Sequence, residues 1–148
     1  MAKIRPYSTS DREALLEILR LHTPEFFDPS EEEDFRNYLD NELDQYFVVE
    51  KNDQVIGGGG FNRGFDEGSS ARISWDLIHP DYRGKGIGSD LLNFRIDKLR
   101  QINSLEKIVV RTTQLSHPFY HRGGFELKSV EEDFWADGYD LYLMEMSI

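Results

Sequence analysis

One six-residue stretch, Arg83-Gly84-Lys85-Gly86-Ile87-Gly88, most limits what this chain can fold into. Before it, Ala71 to His79 alternates with the period of a strand; after it, Ile87, Leu91, Leu92, Ile96 and Leu99 recur with the period of a helix. Strand, glycine turn and helix in that order put a helix N-terminus at the turn, where backbone N–H groups lack intrahelical acceptors and the macrodipole is positive. Gly86 and Gly88 let a ligand approach the backbone, and the N–H groups of Gly84 through Ser89 would point outward, a cradle for a pyrophosphate to which Arg83 and Lys85 add positive charge. A tight connection that binds nothing is the other reading of the turn taken alone.

The surrounding pattern is that of a mixed α/β chain, and 148 residues suffice for one core, so a single domain over residues 1–148 is expected. Lys3 to Tyr7 reads as a strand. Ser10 with Glu13, and Ser30 with Glu33, have capping-box spacing ahead of two helices, the second starting near Glu31. Tyr46 to Lys51 and Gln54 to Phe61 form a hairpin about Asn52-Asp53; the four glycines Gly57 to Gly60 mark a bulge, a close backbone approach or a flexible loop. In the strand before the turn, Ala71, Ile73, Trp75 and Leu77 should share one face and Arg72, Ser74, Asp76 and Ile78 the other. A strand over Leu105 to Arg111, a short helix over Ser116 to Arg122, and strands near Phe125 to Val130 and Tyr139 to Met146 complete the pattern.

Several function classes drop out. The third glycine of a dinucleotide fingerprint comes one residue early, and the next strand ends at Arg111 instead of an acid for a ribose; no glycine run leads to the Lys-Ser or Lys-Thr of an ATP-binding loop. With 17 Lys and Arg against 28 Asp and Glu, the net charge of −11 disfavours nucleic acid and anionic membranes and suits a cationic or amine-bearing partner. The absence of cysteine removes disulfides, thiolate ligation and a cysteine nucleophile. The first residues lack an apolar signal core and no stretch approaches the roughly 18 apolar residues of a membrane span, so a cytoplasmic protein is expected.

Two motifs carry a resemblance over most of the chain. His79-Pro80-Asp81-Tyr82-Arg83-Gly84-Lys85-Gly86-Ile87-Gly88 is similar to the acetyl-CoA signature of the GCN5-related N-acetyltransferase (GNAT) family, and Phe119-Tyr120-His121-Arg122-Gly123-Gly124-Phe125 is similar to that family's late tyrosine and Gly-Phe segment. They lie about thirty residues apart across one β-α-β crossover, which brings both to one end of a parallel pair. The resemblance implies a GNAT-like fold, with a central mixed sheet of about six to seven strands and about four helices, and acetyl-CoA as co-substrate without a metal. It places Leu77, Ile78 and His79 along the pantetheine arm, where the strand before the turn splays from the next, and Arg83, Gly84, Lys85, Gly86, Ile87, Gly88 and Ser89 around the pyrophosphate. Thr113 is expected at the cofactor in Thr112-Thr113-Gln114, where family members often carry an asparagine and this chain has none.

Acetyl transfer from a thioester expels a sulfur better released as a thiol, so Tyr120 is the expected general acid; packing the short helix is its other reading. The acceptor amine must lose a proton before attack, and Asp76 is the preferred base, ahead of Glu25 and Asp140, although a plain alternating polar residue fits equally. His117 and His121 fit surface or capping roles. A backbone N–H near Ile78 would stabilise the oxyanion. The Thr23 to Ser30 loop and the Asp133 to Asp140 turn mix aromatics with carboxylates and are expected to recognise the acceptor, a small-molecule or peptide amine lying over Trp135 or Phe26. The terminal strands could pair two copies into a homodimer. A noncatalytic acyl-CoA sensor is the alternative to an enzyme.

Overall fold

In the computed structural model, which describes residues 2–148, the elements run β1 (Lys3–Pro6), α1 (Arg12–Leu21), α2 (Glu31–Asn37), β2 (Gln45–Lys51), β3 (Gln54–Phe65), β4 (Ser70–Ile78), α3 (Ile87–Arg100), β5 (Lys107–Thr112), α4 (His117–Arg122), β6 (Glu126–Ala136) and β7 (Tyr139–Ser147). The strands form one seven-stranded sheet in the order β1-β2-β3-β4-β5-β7-β6. Every neighbouring pair is antiparallel except β4 and β5, which are parallel and joined by α3 as the crossover.

Four consecutive buried residues of β2 show how the sheet divides two cores. Phe47 and Val49 pack with Leu91, Leu92, Ile96 and Leu99 of α3, while Tyr46 and Val48 pack with Leu15, Leu16, Leu19 and Phe35 of α1 and α2. Helices on both faces account for this run of unbroken burial in a central strand. Both helix starts use a carboxylate two residues earlier than the expected serine boxes. The Ser8 N–H donates to Asp11 at 2.8 Å, and the Asp28 N–H donates to Glu31 at 2.9 Å. Arg5 on β1 holds Asp11 in place through two hydrogen bonds of 2.9 Å.

The glycine run on β3 is a strand under close approach, not a loop. A Cβ at Gly57 would stand 2.7 Å from the Leu77 carbonyl oxygen, one at Gly58 2.8 Å from the Tyr46 ring, and one at Gly59 2.8 Å from the Arg95 guanidinium while colliding with the Asp76 carboxylate. Opposite Gly59 the register slips: Gly58 pairs with Leu77 and Gly60 with Ser74, so Trp75 and Asp76 together face one residue. Trp75, at φ 46°, is the kink of this bulge, and its carbonyl accepts from the Tyr46 hydroxyl at 2.7 Å.

The bulge corrects the expected face assignment. Ala71 and Ile73 pack toward α3, but Trp75 and Leu77 pack toward α1 and α2. Asp76 therefore lies on the same side as Ile73, where α3 and α4 bring their side chains. The strand at the far edge, β6, leaves Leu127, Val130 and Phe134 exposed. Among the described residues, no helix is long and apolar enough to cross a membrane.

Candidate active site

The parallel ladder between β4 and β5 is short: Ser70, Ala71 and Arg72 pair with Lys107, Ile108 and Val109, and pairing ends there. Beyond it the strands part, opening a cleft of about 1150 Å³ that reaches from the glycine turn to Tyr120, Trp135 and α2. The edge of this gap has free backbone. His79 bonds Ile56 at 2.8 Å and the Leu77·Gly58 pair follows two residues back, so Ile78 between them turns its N–H and C=O away from β3 and toward the gap. The Ile78 carbonyl takes one bond from His22 Nε2 at 2.6 Å, which puts the ring proton on that nitrogen.

At the mouth of the cleft the chain turns through Gly84 at φ 75° and Gly86 at φ 80°, backbone angles that favour glycine. Among the described residues, no heavy atom apart from the chain neighbours lies within 4 Å of a Cβ built at either, so the bend is open on its outer side. The α3 helix starts directly after it, and its first internal bond here is Asp90 N–H to the Gly86 carbonyl at 3.0 Å; the N–H groups of Ile87, Gly88 and Ser89 precede the first helical acceptor. Arg83 lies 4.6 Å over the Phe26 ring and Lys85 5.8 Å from that of Tyr82. Neither cation makes an ion pair among the described residues, so open amides and two available charges suit a diphosphate.

Deeper in the cleft, Asp76 and Tyr120 meet: the Tyr120 hydroxyl donates to one carboxylate oxygen of Asp76. The other oxygen accepts from Arg95, a fully buried arginine that also donates to the Gly60 carbonyl at 2.9 Å and the Leu91 carbonyl at 3.2 Å. Burial, and then the adjacent Asp76 charge, push the Tyr120 phenol well above the ordinary tyrosine range, so it stays protonated. Tyr46, which supports the bulge from behind, is raised in the same direction by burial.

Sequence reasoning missed Arg95, although it stands at the i+4 step of the apolar row Ile87, Leu91 and Leu99, where a charge needs a partner. His22, 7% exposed, was also missed and carries no local signal.

The other expected site residues fall as follows. Ile78, Arg83, Gly84, Gly86, Ile87, Gly88, Ser89 and Thr113 line the cleft; Leu77 lines it too, with its side chain buried among α1 and α2. His79 caps the turn, its Nδ1 accepting from Asp81 N–H at 3.1 Å, and Lys85 is exposed beside it; neither is part of the wall. Thr113 Oγ1 accepts from Leu115 N–H at 3.2 Å. Glu25 and Asp140 lie off the cleft, Asp140 accepting from Asp133 N–H at 3.0 Å within the β6–β7 hairpin. His117 packs 4.6 Å from the Tyr142 ring and His121 is exposed. Phe26, Phe27 and Trp135 do line the cleft, but the Phe26 and Trp135 rings already face guanidinium groups, Arg83 at 4.6 Å and Arg111 at 5.4 Å.

One cleft thus joins the gap between parallel strands, the side-chain-free turn at its mouth and the Asp76–Tyr120 pair inside, an arrangement suited to group transfer. The model of the acetyltransferase (GNAT) family matches residues 13–125, a range that includes the turn, Asp76, Arg95 and Tyr120, and the chain belongs to this family. Over 134 residues it is 31% identical to an amino-acid acetyltransferase of Pasteurella multocida, a match covering 87% of this chain and 28% of that protein. The chain thus spans under a third of that relative's length. The ribosomal-protein-S18-alanine N-acetyltransferase of Escherichia coli has the same fold, with a TM-score of 0.81 at 19% identity over 100% of this chain and 94% of that one. So does N-acetylglutamate synthase of Neisseria gonorrhoeae, solved with coenzyme A and N-acetyl-glutamate, with a TM-score of 0.78 at 20% identity over 99% of this chain and 35% of that one.

Proposed function

We propose that this protein moves the acetyl group of acetyl-CoA directly to a primary amine, with no acyl-enzyme intermediate. The observation that carries this is the parting of β4 from β5 beyond Arg72 and Val109, since the gap holds the open turn at one end and the Asp76–Tyr120 pair inside. In this reading the diphosphate rests on the N–H groups of Gly84 through Ser89, with Arg83 and Lys85 alongside, and the pantetheine arm runs along the strand edge at Ile78, whose carbonyl keeps its bond from His22. His79 and Leu77 shape that edge, and Thr113 borders the opposite strand.

For the chemistry, the tetrahedral adduct must lose a proton from nitrogen while the sulfur gains one. Asp76 takes the proton of the attacking amine as Tyr120 gives its hydroxyl proton to the departing sulfur, and the proton on Asp76 then restores the phenol. The amine leaves as amide, coenzyme A leaves as thiol, and the pair returns to its starting state. Arg95 orients Asp76 with one oxygen toward Tyr120, and the Ile78 N–H faces the position of the carbonyl oxygen. The rival reading, a noncatalytic acyl-CoA sensor, draws on Tyr120 already having Asp76 as its acceptor.

An amine-library screen for thiol release from acetyl-CoA separates the two. Turnover of at least one amine, and its loss in Tyr120→Phe with acetyl-CoA affinity kept, is expected for the enzyme. Binding of acetyl-CoA with no turnover of any amine would favour the sensor, and no binding would remove both.

A further inference from the structure

The half of the cleft farthest from the turn holds two cations that the transfer reading leaves without work. Ala71, Ile73, Ile108 and Val110 pack under α3, so Arg72 and Arg111, out of phase with them, project from the opposite face of the sheet. Both line the cleft, together with Tyr38, Asn62 and Phe65. Arg72 is the Cα partner of Val109, which puts Arg111 two residues further along the same face of the neighbouring strand.

Arg5, Arg12, Arg20, Arg36, Arg63 and Arg95 each pair with an Asp or Glu. Arg72, Arg83, Arg100, Arg111 and Arg122 pair with none among the described residues, and of these Arg72 and Arg111 sit on neighbouring strands of the same sheet face. Each instead lies against an aromatic face: Arg72 is 3.9 Å from the Phe65 ring centre, and Arg111 5.3 Å from Phe134 and 5.4 Å from Trp135. Stacking fixes the plane of a guanidinium and leaves its edge donors free. Burial, and then the neighbouring Arg72 charge, lower the Arg111 pKa from its usual value. An anion bound beside both would offset that charge.

We propose that Arg72 and Arg111 form a carboxylate subsite for the acceptor, so that the amine acetylated here also bears a carboxylate and has the size of an amino acid. The inference rests on the acetyl-transfer reading. A zwitterion suits the cleft at both ends, since Asp34 lines it and Asp76 is the proposed acceptor of the amine's proton, while the two arginines take the acid. Local placement thereby overrides the net charge, which on its own pointed to a purely cationic partner.

The test compares L-amino acids with their α-carboxamides, each measured as acetyl acceptor and by calorimetric titration of the protein with coenzyme A bound. The free acid is expected to outperform its carboxamide by at least about 10-fold in both measurements, the difference made by a charge-assisted bond to a guanidinium. Arg72→Gln and Arg111→Gln should each lower that acid-to-amide ratio about 10-fold or more, Arg111→Lys should keep part of it, and acetyl-CoA affinity should hold in all three. Acids and amides bound equally, no amino acid bound at all, or a ratio untouched by the substitutions each overturn the subsite. Acid-selective binding without turnover would overturn the transfer reading and leave the subsite, whereas turnover of simple amines or alanyl peptide amides as fast as of free acids would do the reverse.

Discussion

The buried ion pair at the centre of the site makes the sharpest stability prediction. Arg95 is 0% exposed and the Asp76 side chain 18%. Removing one member of a buried pair costs about 3–5 kcal/mol, because the survivor keeps a charge it cannot hydrate. Asp76→Asn keeps an acceptor for Tyr120 but takes the countercharge from Arg95, and the partial exposure of Asp76 sets the expectation near the lower end, about 3 kcal/mol. For a chain of this length that corresponds to a fall in Tm of about 6–12 °C. Arg95→Met alone strands Asp76 and leaves the Gly60 carbonyl without its 2.9 Å donor, with a loss of similar size. The double variant removes both charges together, so its loss should fall short of the sum of the two by about 2 kcal/mol or more. Thermal or denaturant unfolding of the four proteins gives the cycle, and acetyl transfer should stay low in the double variant even where stability returns. Additive losses, or a loss below about 1 kcal/mol in Asp76→Asn, would refute the coupling that orients the proposed base.

Tyr120→Phe is expected to reduce kcat by about 10²–10⁴-fold with little change in acetyl-CoA affinity, read from steady-state kinetics and calorimetry. Gly86→Ala should cost about 1–2 kcal/mol through its φ of 80°, whereas Gly88→Ala, whose Cβ makes ordinary contacts with the Phe119 ring at 3.4 Å and the Ile78 side chain at 3.8 Å, should leave stability within about 0.5 kcal/mol while weakening coenzyme A binding. On the acid side, Arg20 and then Arg36 hold Glu32 at about 2, and Arg5 holds Asp11 below its usual range. Folded-state values below the unfolded ones confer stability above about pH 4 that is lost as pH falls toward 2; denaturant midpoints against pH should show this, with a flatter slope in Arg5→Gln. On the alkaline side burial raises Tyr38 to about 12, with Tyr46 and Tyr120 raised too. Their contribution is complete below about pH 10 and is lost as pH rises through the folded values, so unfolding should expose new phenolate absorbance above pH 10.

What could be read ahead from the chain was whatever local chemistry decides. The glycine turn, the helix after it and the strand before it follow from φ-permissive residues and short-range periodicity, and α3 begins at Ile87 as its stripe implies. Tyr120 and Asp76 were each singled out for chemistry, yet their hydrogen bond spans 44 residues and no spacing announces it. The face of Asp76 was misjudged because the bulge at Trp75 depends on Gly59 across the sheet, a long-range register slip that a strict period of two cannot contain. Both helix caps fell on carboxylates, Asp11 and Glu31, instead of the serine boxes two residues later; for Asp11 the deciding contact comes from Arg5 on a neighbouring strand. Arg95 did leave a trace, a charge in an apolar row, that asks for a buried partner. The arginines of the acceptor half left none, since only the parallel pairing of β4 with β5 sets Arg72 beside Arg111.

A crystal structure of the protein with coenzyme A bound would show where the diphosphate rests. Diphosphate oxygens should lie about 3 Å from the amide nitrogens between Gly84 and Ser89, with the pantetheine arm along Ile78 in the gap between β4 and β5. Coenzyme A bound elsewhere on the protein, with that bend and gap empty, would contradict the acetyl-transfer reading.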